Sequence, residues 1–256
     1  MPDFVRYIAL GDSVSIDLYP ALDAGQIDVA VALERTTTAG SVARIGAASL
    51  LYRNSEELWP DELGNDLISR YPGIEANIAA EDGATIGDVF GEQLTQVDDT
   101  EEPVLITLTV GGNDLLSAYG NRPKKTLLEK IERDIAEAYD FLVDHLRGRF
   151  PNGTLIVNTI YDPSDRSGKI PGVYDEIGPL PLEILDRMND HIRALAIGTP
   201  RVLLADLYAL FLGHGVSVAE TERWYWRRSL IEPNAQGANQ IRKLWLEVLD
   251  HHEVTT

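Results

Sequence analysis

Five short runs of the chain are rich in apolar and β-branched residues, several of them almost without a break: Phe4–Leu10, Ile74–Ala79, Val104–Val110, Thr154–Ile160 and Arg201–Asp206. The continuous ones suit strands covered on both faces better than a half-wet antiparallel sheet. Between them the period changes. Leu127–Phe150 carries Leu127, Leu128, Ile131, Ile135, Ala138, Leu142, Val143 and Leu146 at spacings of three and four, the stripe of an amphipathic helix. Leu182–Ile197 repeats this with Ile184, Leu185, Met188, Ile192, Leu195 and Ala196, and Ala238–Leu249 with Ile241, Leu244, Trp245 and Val248. Pro60-Asp61-Glu62-Leu63 predicts the start of a further helix, with proline and acids where a first turn favours them. Strands alternating with helices predict right-handed crossovers and a three-layer α/β/α domain around a parallel sheet of about five strands. No repeat and no linker divides residues 1–256, which read as one domain. Its irregular part is an insertion, Ile16–Leu58, with Thr36-Thr37-Thr38-Ala39-Gly40-Ser41 as loop. A connection of that length is usually functional or mobile.

Composition narrows the chemistry. The 256 residues hold 22 Lys+Arg against 41 Asp+Glu, a formal charge of −19, and no cysteine. Disulfides, thiolate metal sites and a cysteine nucleophile are therefore excluded. Nucleic acid and anionic membrane surfaces attract basic patches, so an excess of acid this large argues against both. No apolar run approaches the roughly 20 residues of a membrane span, and the N-terminus lacks the basic and then apolar regions of a signal peptide, so a cytoplasmic location is the expectation. No His/Asp/Glu cluster has metal-ligand spacing, and no cofactor is called for. Nothing in the composition speaks to oligomeric state.

Open parallel sheets place ligands at the carboxyl ends of their strands. There the chain reads Gly11-Asp12-Ser13-Val14-Ser15 after the first run, Glu81-Asp82-Gly83-Ala84-Thr85 after the second, and Gly111-Gly112-Asn113-Asp114 after the third. Glycines let the backbone approach a ligand, and free amides in such turns donate to anions. Gly11-Asp12-Ser13, Gly83 and Gly112-Asn113-Asp114, in this order and about 70 and 30 residues apart, resemble the first three sequence blocks of the SGNH (GDSL) hydrolases. The resemblance runs from the first strand to the last helix. It implies a flavodoxin-like strand order 2-1-3-4-5 and a small-molecule ester as substrate. It makes Ser13 the nucleophile, with an oxyanion hole built from the amides of Ser13 and Gly83 and the side chain of Asn113. Read without the resemblance, Ser13 suits a helix N-cap and Asn113 a turn of positive φ. Asp12 and Asp114 read as braces of these loops.

The fourth part of the pattern is broken. The family carries Asp-x-x-His-Pro-Asn before its last helix, whereas this chain has Ser229-Leu230-Ile231-Glu232-Pro233-Asn234, followed by Gly237. Glu232 stands where the histidine belongs and Ser229 where the aspartate belongs. Pro233, Asn234 and Gly237 still match and place Glu232 at the start of the final helix, beside Ser13. A serine hydroxyl needs a base, and three arrangements remain open. His214, in Gly213-His214-Gly215, is the base with Glu232 orienting it, since triads recur in different chain orders. Alternatively Glu232 acts directly, which requires burial to raise a carboxyl pKa of about 4.3 above the range where it is a weaker base than imidazole at about 6.5. In the third, hydrolysis is lost and a non-catalytic binding protein remains. His145 and His191 fall inside amphipathic helices, and His251 and His252 near the end of the sequence.

Trp224-Tyr225-Trp226-Arg227-Arg228, just before this block, reads either as an aromatic lid or as a helix or loop packing its tryptophans on the core. Asp98-Asp99-Thr100-Glu101-Glu102 reads as a solvated loop. A nucleotide- or flavin-binding protein would share the layers, but neither G-x-G-x-x-G nor a P-loop is present.

Overall fold

The structure, a computed structural model, describes residues 4–26, 44–120, 124–172 and 179–255. Its centre is a parallel sheet in the order β2-β1-β3-β4-β5, with β1 Arg6–Gly11, β2 Glu75–Ile78, β3 Val104–Thr109, β4 Thr154–Asn158 and β5 Val202–Ala205. This is the expected order and direction. Alternation along each strand divides the core into two layers. Tyr7, Ala9, Leu105, Ile156 and Ala205 face one side, where they meet α2 (Ala47–Tyr52), α3 (Leu67–Arg70), α8 (Leu207–Phe211) and α9 (Ala235–Thr255). Ile8, Leu10, Val104, Ile106, Leu108, Leu155 and Val157 face the other, under α4 (Ile86–Gly91), α6 (Lys125–Arg149) and α7 (Leu182–Gly198). Both faces are covered along β1, β3 and β4, which is why those runs are almost continuously apolar, whereas the edge strand β2 is exposed at Glu75 and Ala76.

The three long helices fall where the periodicity puts them. Trp245 of α9 is fully buried and donates its indole N–H to Asn158 Oδ1 at 2.8 Å, while Asn158 Nδ2 donates to the Leu108 carbonyl at 3.0 Å. The last helix is thereby fixed to the carboxyl ends of β3 and β4.

Four expectations need adjustment. Pro60–Glu62 is a single 3₁₀ turn, ended by Gly64 at φ +82°, and the helix that follows is α3, capped by Asp66, which accepts the Ser69 N–H at 2.9 Å. The segment 16–58 is not wholly irregular: α1 (Leu18–Asp23) and α2 lie in it, and Ile45, Ala47, Ala48, Leu50 and Leu51 are core residues. Its expected loop, Thr36–Ser41, lies outside the described residues. Gly112–Gly120 forms a helix, α5, that its glycines hide from a periodicity reading. Finally, Tyr225–Trp226 (β6) and Ser229–Pro233 (β7) pair as an antiparallel hairpin, so Glu232 sits in a strand and the final helix begins only at Ala235. Among the described residues no helix is long and apolar enough to cross a membrane.

Candidate active site

The first turn is forced by sterics. Gly11 ends β1 at φ +121°, and a Cβ there would stand 1.8 Å from the Thr109 carbonyl oxygen. The buried Gln93 side chain then closes on it from both sides, accepting the Gly11 N–H and donating to the Gly11 carbonyl, each at 2.8 Å. Asp12 accepts the Val14 N–H at 3.1 Å, the side-chain-to-backbone turn that this residue type favours. Between them Ser13 is held at the apex, caps no helix among the described residues, and has an amide free of any hydrogen bond recorded for them. Asp12 is buried and its carboxyl is pushed up to about 7, first by desolvation, with the Asp114 charge adding to it.

The second and third turns are cross-linked. Gly83 adopts φ +72° in open space, a left-handed turn that glycine enters without strain. Thr85 caps α4 in a reciprocal box with Asp88. Asp114, in the first turn of α5, accepts the Ile86 N–H at 3.2 Å, and Asn113 Nδ2 donates to the Ala84 carbonyl at 3.1 Å. On the other side Tyr19 donates its hydroxyl to both oxygens of Asp82, at 2.9 and 3.0 Å. Gly83 is thus clamped between α1 and α5. Asn113 is helical rather than a turn of positive φ, so one of its two amide hydrogens is committed to Ala84 and the other remains to donate. The braces read into Asp12 and Asp114 are present.

The fourth element carries Glu232. Its neighbours explain the surviving motif: Asn234 Oδ1 accepts the Gly237 N–H at 2.8 Å and caps α9, Asn234 Nδ2 donates to the Arg223 carbonyl at 2.8 Å, and a Cβ on Gly237 would stand 2.3 Å from the Trp224 carbonyl oxygen. Glu232 itself is buried, 7% exposed. Its carboxyl is pushed up to about 8, chiefly by desolvation and further by the negative charges of Asp82 and Asp12, while the Ser13 side chain opposes the rise. Its Oε2 has no hydrogen-bond partner.

Ser13, Asn113 and Glu232 line one cavity of about 130 Å³, together with Asp12 and a largely apolar wall from α5, α6 and α7. Gly83 is exposed on the adjoining turn. His214 is not brought in. Its ring stacks flat on Trp224, with centroids 3.5 Å apart and planes 6° from parallel, and it is not among the residues lining the cavity. The loop carrying it is pinned by Asp165, which accepts the amides of Gly213, Gly215 and Ser217 at 2.8, 3.1 and 2.8 Å. Trp224 also packs on Phe211, Tyr225 is buried, and Trp226 lies against Tyr19 at 5.5 Å, so the aromatic cluster forms a strand and its packing. Sequence reading passed over Gln93, Tyr19 and Asp165. Only Asp82, an acid beside a block glycine, offered a signal.

The fold recurs in solved structures. An extracellular lipase from Streptomyces rimosus is 20% identical with a TM-score of 0.51, over 96% of this chain and 99% of its own. A phospholipase A1 from Streptomyces albidoflavus is 17% identical at 0.54, over 97% and 99%. An acetyl xylan esterase from Geobacillus stearothermophilus is 14% identical at 0.56, over 97% and 96%. No curated protein matches the chain. At family level residues 37–239 match the GDSL-like lipase/acylhydrolase model. That span begins after Ser13 and takes in Gly83, Asn113, His214 and Glu232. With most of the chain matched and three block turns gathered on one sheet edge, the chain belongs to the GDSL-like lipase/acylhydrolase family.

Proposed function

We propose that the protein is an ester hydrolase in which Ser13 attacks the carbonyl carbon and Glu232, without histidine, is its general base. The observation that carries this reading is that Ser13, Asn113 and a buried carboxyl, Glu232, whose second oxygen has no partner, line one cavity.

The chemistry runs in two halves. As Ser13 Oγ bonds to the carbonyl carbon, its proton passes to the Glu232 carboxylate. The carbonyl π electrons move to oxygen, which receives N–H groups from Ser13, Gly83 and Asn113. Collapse expels the alcohol, which takes the proton back from Glu232, and leaves acyl-Ser13. Water then attacks the acyl carbon and gives a proton to Glu232; the bond from that carbon to Ser13 Oγ breaks, Oγ takes the proton from Glu232, and the carboxylic acid departs. Each oxyanion donor is worth about 3–4 kcal/mol in such sites. A carboxylate held near pKa 8 is a far better base than an ordinary glutamate, and a catalytic pKa close to the working pH is the efficient choice. Accepting a proton makes Glu232 neutral, the form its burial favours. An imidazole would become a cation and need an orienting acid; a carboxyl does not, which agrees with Ser229 at the aspartate position. The similar structures, a lipase, a phospholipase and an acetyl xylan esterase, agree on the ester bond.

Hydrolysis of p-nitrophenyl butyrate tests the assignment. Ser13→Ala and Glu232→Gln should each lose at least about 10³-fold in kcat/KM, and His214→Ala should stay within about threefold of wild type. If His214→Ala is as damaging as Ser13→Ala, the base is His214. If Ser13→Ala equals wild type on every ester, the chain is a binding protein.

A further inference from the structure

The cavity beside Ser13 has a lopsided chemistry. Several polar residues contribute to its wall, yet most are already spent on the protein. Asn158 bridges Trp245 and the Leu108 carbonyl. Thr159 donates to Asp206 at 2.8 Å, and Asp162 accepts from the Ser164 amide and hydroxyl and from the Arg166 amide. Thr109 shares a 2.8 Å hydrogen bond with Ser15, and Tyr119 donates to the Pro179 carbonyl at 2.7 Å. The remaining wall is carbon, including Leu115, Leu128, Ile160, Leu182, Leu185 and Ile231. Hydrogen-bonding capacity is therefore concentrated at Asp12, Ser13, Asn113 and Glu232.

Building on the proposed esterase reading, we infer that this cavity is an acyl pocket for a straight apolar chain of about four to six carbons. A sugar ring needs partners for its hydroxyls, and the wall offers few. An acetyl group would leave most of an apolar space of about 130 Å³ unfilled. For scale, an engineered apolar cavity of about 150 Å³ holds one benzene, six carbons. A long fatty chain would fill the pocket and leave its remainder outside.

Each methylene that enters the pocket contributes about 0.8 kcal/mol, which is about fourfold in kcat/KM. The expected series on p-nitrophenyl esters is a rise of at least about tenfold from acetate to butyrate or hexanoate, and no further rise from octanoate to dodecanoate. Leu185→Trp, on the half-buried side of α7, should lower the hexanoate-to-acetate ratio at least about tenfold. Binding is read separately by titrating Ser13→Ala with acetamide, hexanamide and dodecanamide, where hexanamide should bind at least about tenfold more tightly than acetamide. If acetate is the best ester or dodecanoate the best, and the amides show the same preference, the pocket inference falls while a dead Ser13→Ala keeps the hydrolase. If Ser13→Ala hydrolyses every ester like wild type and hexanamide still binds preferentially, the hydrolase falls and the pocket stands.

Discussion

Replacing Glu232 with glutamine should damage the enzyme and strengthen the protein in the same pH range. The wild-type carboxyl titrates near 8 because it is buried beside Asp82 and Asp12. A base must be ionised, so the competent fraction is about 1% at pH 6, 10% at pH 7, 50% at pH 8 and 90% at pH 9. The kcat/KM for a short ester, corrected for the uncatalysed rate, should rise about fiftyfold between pH 6 and 8 and level off only above 9. An unperturbed histidine base would flatten the profile by about pH 7.5.

Stability moves the other way. With a folded-state pKa above the unfolded value, Glu232 binds its proton more firmly in the native state, so its contribution is full at acid pH and is lost as pH rises towards 8. A displacement from 4.5 to about 8 corresponds to about 5 kcal/mol at most once both states are ionised, a large share of a typical domain's stability. Asp12, pushed up to about 7, loses stability in an overlapping window, and Tyr19 and Tyr161 feel the Glu232 charge. Comparing wild type with Glu232→Gln leaves Asp12 in both arms. Chemical denaturation at pH 5 and pH 9 should find the variant near wild type at pH 5 and about 2–5 kcal/mol more stable at pH 9, while kcat/KM at pH 9 falls at least about 10³-fold. An activity plateau below pH 7, or a variant that is no more stable at pH 9, would refute the buried-base argument.

Asn113→Ala removes one oxyanion donor and should lower kcat by about 10²–10³-fold at little change in KM, measured on the same ester. Tyr19→Phe releases Asp82 and with it the clamp on Gly83; thermal unfolding should register a loss of about 1 kcal/mol, and kcat should fall more than KM rises. Gly11→Ala drives a methyl into the Thr109 carbonyl at a backbone angle alanine rarely adopts, and should yield little soluble folded protein; normal yield and a native melting profile would show that β1 and β3 can part locally.

The parts of this molecule legible in the sequence are those decided by local pattern. Strands buried on both faces read as unbroken apolar runs, and helices of 17–25 residues repeat their stripe often enough to be seen. The elements of the site are of the other kind. The helix at Gly112–Gly120 is masked by the glycines its approach to Ile160 suits, and the hairpin at Tyr225–Pro233 is two short strands whose partner is each other. The choice between His214 and Glu232 depends on residues far away in the chain. Asp165 draws the 213–217 loop onto itself, and Trp224 takes the face of the imidazole, neither of which spacing reveals. The surviving Pro233-Asn234-x-x-Gly237 pattern misleads for a physical reason. Asn234 and Gly237 are required by the junction of hairpin and helix whatever residue precedes them, since one caps α9 and the other has no room for a Cβ. Position 232 has no such duty, as its free Oε2 shows. The junction of hairpin and helix therefore leaves position 232 open to glutamate, which is buried there. Burial then lifts the carboxyl to about 8, so on the proposed reading the physics that makes this residue expensive for stability also suits it to act as a base.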